Sequence, residues 1–275
     1  MEDRDSLLQT AIAASIKAGQ AILEVYNQPV LVEIKDDRSP LTEADKRSHD
    51  IIFKDLVNSN FPILSEEGKQ MDFSERKAWK KFWMVDPLDG TKEFIKKNGE
   101  FTVNIALIRD QKAIMGVIYA PVLDTLYFSE ITIGSYKLQA SLKEFLSIIE
   151  GDYFLVDLVK RADRLPVGNA SDEITVVASR SHLNEETTDY IEKIKAKHIG
   201  KEINFVSKGS SLKICLVAEG SAHIYPRLAP TMEWDTAAGQ AIAECAGKKF
   251  YDFKSGEPMK YNKANLLNEW FVVEG

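Results

Sequence analysis

Apolar and small residues recur at Leu8, Ile12, Ile16, Gly19, Leu23 and Tyr26, a helical spacing that predicts one long amphipathic helix over residues 5–27. Val30-Leu31-Val32-Glu33-Ile34 alternates enough for a strand, and Asp36-Asp37-Arg38-Ser39-Pro40 reads as a turn cluster. A second helix follows Leu41-Thr42-Glu43-Ala44-Asp45, with Ile51, Ile52, Leu56 and Val57 on its apolar face. Asp45 falls in its first turn, where a carboxylate can cap the helix and meet its dipole. Phe61-Pro62-Ile63-Leu64 is a short strand closing in Ser65-Glu66-Glu67-Gly68, and Lys69 to Lys81 reads as a polar surface excursion. Phe82 to Val85 is a buried strand that ends abruptly in the turn Asp86-Pro87-Leu88-Asp89-Gly90-Thr91.

Three strands follow at 101–108, 113–119 and 126–129, joined by short turns that imply antiparallel pairing. Residues 136–166 are less patterned, with a helix over Leu142 to Ile149 and a loop at Asp163-Arg164-Leu165-Pro166. They are the expected link between two halves. From Ile174 the chain alternates: strand 174–178, helix 184–196, strand 203–206, helix 212–219, strand 222–225, a helix from Glu233 through Cys245, and closing strands at 249–251 and 271–273. The pattern predicts an α/β fold, α+β in its N-terminal half, divided into residues 1–165 and 166–275. Polar clusters repeatedly follow strand ends, where open α/β sheets build their sites.

Composition narrows the function class. A chain of 275 residues with 44% hydrophobic and 28% charged residues can bury a core without disulfides. Cys215 and Cys245 lie in apolar helical patterns and read as buried thiols in a reducing compartment. The expected localisation is cytoplasmic, with no transmembrane segment; peripheral association with the inner face of the membrane stays open, as does a monomer or homodimer. The net charge of −7 argues against a nucleic-acid polymer as partner, though metal ions or a local lysine can reverse the sign at one site.

The chemistry centres on Asp86 to Thr91. Proline fixes one backbone angle and glycine permits an unusual one, so a stiff segment can aim two carboxylates and a carbonyl at one small volume. With Asp45, Glu66, Glu67 and Asp235, a set of hard oxygen ligands suited to Mg²⁺ or Mn²⁺ emerges. The four histidines, His49, His182, His198 and His223, show no short pairing, which argues against zinc. Two divalent ions can activate a water and stabilise the leaving oxygen of a phosphate ester. Thr91 can orient that water, and N–H groups at the start of the following helix can receive phosphate oxygens.

Asp45 in Thr-Glu-Ala-Asp, Glu66 in Ser-Glu-Glu-Gly, Asp86-Pro-Leu-Asp-Gly-Thr and Trp234-Asp-Thr-Ala-Ala-Gly resemble, in order, the signature segments of the Mg²⁺-dependent, lithium-sensitive phosphatase superfamily of inositol monophosphatase and fructose-1,6-bisphosphatase. Gly209-Ser-Ser-Leu-Lys-Ile-Cys-Leu-Val-Ala-Glu-Gly and Tyr225-Pro-Arg resemble its CysQ-type 3′(2′),5′-bisphosphate nucleotidase branch, which acts in sulfur metabolism. The resemblance implies a layered α-β-α-β-α fold and two or three Mg²⁺ per site. It implies metal ligation by Glu66, Asp86, the Leu88 carbonyl, Asp89 and Asp235, and water activation by Asp45 and Thr91. It implies phosphate contacts from Gly90 and Thr91, and nucleotide contacts from Ser179, His182, Gly209 and Lys213. The implied substrate is a small bisphosphate nucleotide, 3′-phosphoadenosine 5′-phosphate, hydrolysed to AMP and phosphate. The nearest alternative is an inositol monophosphatase or sugar phosphatase of the same superfamily. A haloacid-dehalogenase-like phosphatase would space its two aspartates by two rather than three, and a Ca²⁺-binding scaffold would not need the water-activating pair.

Overall fold

Helix α1 (Arg4–Tyr26) and helix α2 (Glu43–Leu56) pack side by side. Between them run β1 (Val32–Ile34) and β2 (Pro40–Thr42), an antiparallel ribbon. This is a computed structural model, and it describes residues 4–28, 32–34, 40–151, 154–168, 173–178 and 184–275. Most of the turn cluster at 36–40 lies outside the described residues. The start of α2 is a capping box, in which Thr42 and Asp45 exchange side-chain and backbone hydrogen bonds.

The chain then builds β3 (Ile63–Ser65), the single turn α3 (Phe73–Arg76), β4 (Lys81–Asp89), the short α4 (Thr91–Ile95), β5 (Thr102–Arg109), β6 (Lys112–Ala120), β7 (Thr125–Glu130) and β8 (Gly134–Gln139). Helices α5 (Leu142–Ile149) and α6 (Phe154–Arg161) precede β9 (Asp163–Arg164). Strands β3 to β9 form one seven-stranded sheet in chain order, antiparallel except for the β3–β4 pair. The remaining elements are β10 (Ile174–Val177), α7 (Glu185–Lys197), β11 (Ile203–Val206), α8 (Leu212–Glu219), β12 (Ile224–Arg227), α9 (Glu233–Cys245), β13 (Lys249–Asp252) and β14 (Phe271–Glu274). They give a five-stranded sheet in the order β11-β10-β12-β14-β13.

Three apolar clusters fill the spaces between layers. The first lies between α1, α2, α5, α6 and one face of the seven-stranded sheet, the second between that sheet, α8, α9 and the five-stranded sheet, and the third under α7. The layering is therefore α-β-α-β-α, the arrangement expected. Helix α9 is the middle layer, and every residue from Thr236 to Ala243 is buried, as a helix covered on both sides requires. Its alanines let the sheet approach closely: a Cβ at Gly116 of β6 would lie 2.3 Å from the Ala238 carbonyl oxygen.

The structure corrects three sequence expectations. Residues 136–166 are not a free link: Phe145 of α5 is fully buried edge-on to Tyr119, and Asp163 and Arg164 pair with Lys137 and Tyr136 as the sheet's last strand. That pairing is non-local and two residues long, so local patterning carries no trace of it. The polar stretch 69–81 is not merely a surface excursion. Arg76 is 2% exposed and donates to the Asn262 side chain at 2.7 Å and to the Lys263 and Ala264 carbonyls at 2.6 and 3.1 Å. Finally, Asp86 to Asp89 is not a turn. It continues β4, with Asp86 opposite Asn104 and Asp89 opposite Thr102, so three steps on β4 face two on β5. The extra residue makes a bulge, where a proline without an N–H is tolerated.

Gly116→Ala should force α9 away from the sheet and destabilise the protein by roughly 1–3 kcal/mol, the range for overpacking a filled core. Urea unfolding of variant and wild type checks this.

Candidate functional site

The acidic site forms where three elements meet. Glu66 follows the end of β3, Asp86 sits in the β4 bulge and Asp235 lies in the first turn of α9. One carboxylate oxygen from each lies within 4.8 Å of the others. Glu67 is not in this group. The bulge is fixed from outside by Ser48 of α2, whose hydroxyl donates to the Pro87 carbonyl at 2.6 Å, and from inside by Leu88 N–H donating to Asp86 Oδ1 at 3.0 Å. Asp235 is held by the Met232 N–H, 2.8 Å from Oδ2.

Four carboxylates crowded together repel their own ionisation. Burial pushes the Asp86 carboxyl well above the ordinary aspartate range, reinforced by the charges of Glu66, Asp89 and Asp235. Asp235 keeps part of its surface open, yet its carboxyl lies deep, and burial followed by the charge of Asp89 pushes its pKa up to about 8. Such a cluster is stable in its ionised form only with cations among the oxygens. The all-oxygen donor set, with no histidine or cysteine in the group, fits a hard divalent ion.

Asp89 turns toward the C-terminal half. Ser211 Oγ lies 2.6 Å from Asp89 Oδ2 and 2.9 Å from the Asp235 carbonyl oxygen. Asn104 donates to Ser211 Oγ at 2.8 Å and to Asp89 Oδ2 at 3.3 Å, while Thr102 Oγ1 donates to the Asn104 amide oxygen at 2.9 Å. Thr102 thus sets the amide orientation, and Asn104 is 1% exposed. Neither Asn104 nor Ser211 was expected as a site residue. The available signal was the pair Thr102 and Asn104, two polar residues on one face of an otherwise apolar strand.

The structure places Asp45 beside Thr91. Asp45 uses Oδ2 to accept from Thr42 N–H at 2.8 Å and Thr42 Oγ1 at 2.6 Å, which is the capping role. Its other oxygen, Oδ1, faces Thr91 Oγ1 at 3.3 Å across the site. Thr91 Oγ1 also lies 3.4 Å from the Leu88 carbonyl oxygen. Gly90, at a φ of 94°, turns the chain from the strand into α4 with a conformation that favours glycine.

Beyond Asp89 a cavity of about 260 Å³ is lined by Gly90, Glu93, Ser210, Lys213, Arg227 and Asp235, among others. A second, of about 270 Å³, shares Lys213, Tyr225 and Arg227 with it. Lys213 reaches the carbonyl of Lys208 at 3.3 Å. Burial lowers its pKa, Asp89 draws it back up and Arg227 pushes it down again. Ser210 Oγ is buried with no hydrogen-bond partner, and its residue holds a φ of 45°. Arg227 and Ser210 stand in segments already singled out, but only the tertiary fold sets them beside Lys213. Gly209 is buried and its N–H is taken by Glu100 Oε2 at 2.8 Å, so that donor does not point at the cavity. Ser179 and His182 lie outside the described residues.

The model of the inositol monophosphatase family matches residues 3–270. The 3′(2′),5′-bisphosphate nucleotidase CysQ of Salmonella typhimurium is 40% identical over 272 residues, covering 97% of this chain and 99% of that protein. CysQ of Escherichia coli K12, of the same name, is 41% identical over 261 residues, covering 93% and 94%. Among solved structures, CysQ from Bacteroides thetaiotaomicron, described as a bacterial member of the inositol monophosphatase family, is 48% identical with a TM-score of 0.88 over 98% of this chain and 97% of that one. SuhB from Bartonella henselae, at 23% identity and a TM-score of 0.72, shares the fold. A family model spanning nearly the whole chain, full-length relatives at 40% identity and above, and an acidic centre assembled from its signature segments place the same conclusion on sequence and structure: the chain belongs to the inositol monophosphatase family.

Proposed function

We propose that this protein is a Mg²⁺-dependent 3′(2′),5′-bisphosphate nucleotidase that hydrolyses 3′-phosphoadenosine 5′-phosphate to AMP and phosphate. The observation that carries the reading is the charge pattern of the site. A carboxylate cluster fit for divalent ions forms one wall, and two cations, Lys213 and Arg227, line the cavity beyond it. A substrate with a single phosphate needs only the first wall. A second phosphate at the far end of a nucleotide needs the second, where a half-buried lysine supplies a point charge and an arginine a planar fork of donors. The full-length likeness to CysQ nucleotidases supports the same substrate class.

Two or three ions, with Mn²⁺ as a substitute for Mg²⁺, supply the positive charge that acidifies water and offsets charge developing in phosphoryl transfer. Glu66, Asp86, Asp89, Asp235 and the Leu88 carbonyl would hold them. Thr91 Oγ1 and Asp45 Oδ1, 3.3 Å apart, form a relay that orients the attacking water and accepts its proton at the Asp45 carboxylate. The N–H groups of Gly90, the N-cap of α4, and of Thr91, its first residue, have no acceptor within the helix and are assigned to the scissile phosphate. Ser210 Oγ, buried without a partner at the cavity wall, is suited to donate to a substrate oxygen. Asn104 and Ser211 fix the Asp89 carboxylate through Oδ2, in the orientation from which it would ligate an ion. Ser179 and His182 are assigned to the nucleotide on sequence resemblance. The chain divides into a metal-holding half, 1–165, and a half contributing Asp235 and the nucleotide side, 166–275.

Phosphate release from 3′-phosphoadenosine 5′-phosphate, its sulfated precursor, inositol 1-phosphate and fructose 1,6-bisphosphate, each with and without Mg²⁺, tests the reading. Preference for the first, dependent on Mg²⁺, is expected; equal or better turnover of inositol 1-phosphate overturns it. Asp89→Asn should reduce kcat by at least about a hundredfold with circular dichroism unchanged, since one ligating charge is lost. Lys213→Ala should raise KM for the bisphosphate nucleotide at least about tenfold, the scale of one charge-assisted contact. Its effect on any residual inositol phosphate activity should be much smaller.

The raised carboxyls give a pH signature. Asp86 and Asp235 hold protons in the folded, metal-free protein at pH values where the unfolded chain has released them. The folded state then binds more protons than the unfolded one, so metal-free stability falls as pH rises from about 4 toward 8. Ions bind the ionised form and reverse the loss. The rise in Tm on adding Mg²⁺ should therefore be larger at about pH 8 than at about pH 5.5, and a pH-independent rise contradicts the assignment.

A further inference from the structure

The segment 207–211 joins β11 to α8, contributes Ser210 and Ser211 to the cavity, and leads directly into Lys213. It is tied at two points. At its inner end Ser211 Oγ meets Asp89 and the Asp235 carbonyl. At its outer end it meets Glu100, which stands just before β5 in the other half of the chain. Glu100 Oε1 pairs with Lys208 Nζ at 3.0 Å, and Glu100 Oε2 accepts from Gly209 N–H at 2.8 Å. One carboxylate thus grips the side chain of one residue and the backbone of the next.

The contact is also a backbone one. A Cβ at Gly209 would lie 2.5 Å from the Glu100 carbonyl oxygen and 2.7 Å from Glu93 Cγ. Only glycine lets the two segments meet this closely. The residues of 98–100 are themselves locked, because Asn98 Oδ1 accepts from the Glu100 N–H at 2.9 Å. What Glu100 holds then reaches the cavity directly. The carbonyl of Lys208 is the acceptor for Lys213 Nζ, and Ser210 follows Gly209 in a left-handed conformation with its hydroxyl at the cavity wall.

We propose that Glu100 is a positioning residue for the second phosphate-binding wall. By pinning Lys208 and Gly209 it fixes the direction of the Lys213 ammonium and the placement of Ser210, and it does so without touching the acidic cluster. The inference rests on the bisphosphate nucleotidase reading, because it assigns Glu100 to the part of the substrate that a simple monophosphate lacks. Loss of Glu100 removes both side-chain bonds at the outer end of the segment and leaves the Ser211 bonds, at the metal side, in place. The defect therefore falls on substrate affinity and not on the chemical step.

Steady-state phosphate release from 3′-phosphoadenosine 5′-phosphate and from adenosine 3′-phosphate, measured for wild type, Glu100→Ala and Glu100→Gln, tests this. Glu100→Ala is expected to raise KM for the bisphosphate about tenfold, the scale of a charge-assisted hydrogen bond and its ion pair. Its kcat and its Mg²⁺ dependence should stay within about twofold of wild type, as should KM for adenosine 3′-phosphate. Glu100→Gln keeps an acceptor for Gly209 N–H but loses the charge facing Lys208, so its KM should fall between the two and keeps the test valid if the alanine variant does not fold. An unchanged KM for the bisphosphate, or a fall in kcat or in Mg²⁺ affinity of the same size, overturns the inference. No phosphate release from the bisphosphate by wild type overturns the nucleotidase reading and this inference with it, whereas wild-type release with an unchanged KM in both variants overturns this inference alone.

Discussion

Three carboxylates with oxygens within 4.8 Å of one another are the constraint around which this molecule is built. Buried like charges repel, and burial removes the water that would screen them. Nothing in the folding of the chain by itself favours that meeting, so the surrounding structure has to enforce it. Asp86 is enforced by a β-bulge, Asp235 by the start of a helix closed in on both sides, and Glu66 by the end of β3, which pairs parallel with β4.

The helix that delivers Asp235 shows how far the enforcement reaches. The carboxylate of Glu233, fully buried, accepts from the Asn262 and Lys263 N–H groups at 2.5 and 3.0 Å and from Lys263 Nζ at 2.7 Å. Asn268 donates to the Met232 carbonyl at 2.7 Å and to Thr236 Oγ1 at 3.0 Å. Arg76, from the far half of the chain, closes on the same 262–264 segment. A helix terminus satisfied at this many points cannot swing away from the repulsion it carries. The opposite end of the middle layer is fastened by Glu219 of α8, which accepts from Tyr127 and Lys137 of the large sheet at 2.8 and 2.6 Å. Both halves of the chain are therefore stitched across the layer that holds the site.

The same stitching separates two tasks. The groups proposed to hold ions come from the bulge, the end of β3 and the start of α9. The groups proposed to meet the rest of the substrate come from α8, the segment before it and the end of β12. Asp89 lies at the border, bound by Ser211 and Asn104, and links the two.

Local pattern determined a good deal of this. The long first helix, the capping position of Asp45, the antiparallel run after the bulge and the alternating second half all follow from periodicities of side chains along the chain. The identity of the acidic residues was legible because hard-ion chemistry demands oxygen ligands, and few sequences place them repeatedly after buried strands. What local pattern could not carry was anything fixed by partners distant in sequence. A turn and a bulge read alike at Asp86-Pro87-Leu88-Asp89 until the opposing strand is counted. Arg76 reads as a surface cation until residues 262–264 arrive to satisfy its guanidinium. Asn104, Ser211 and Glu100 show their roles only once two halves of the chain are in contact. Which candidate oxygen ligands the chain contains is stated by sequence outright; which of them meet, and so the shape of the site, is decided by burial and long-range hydrogen bonding.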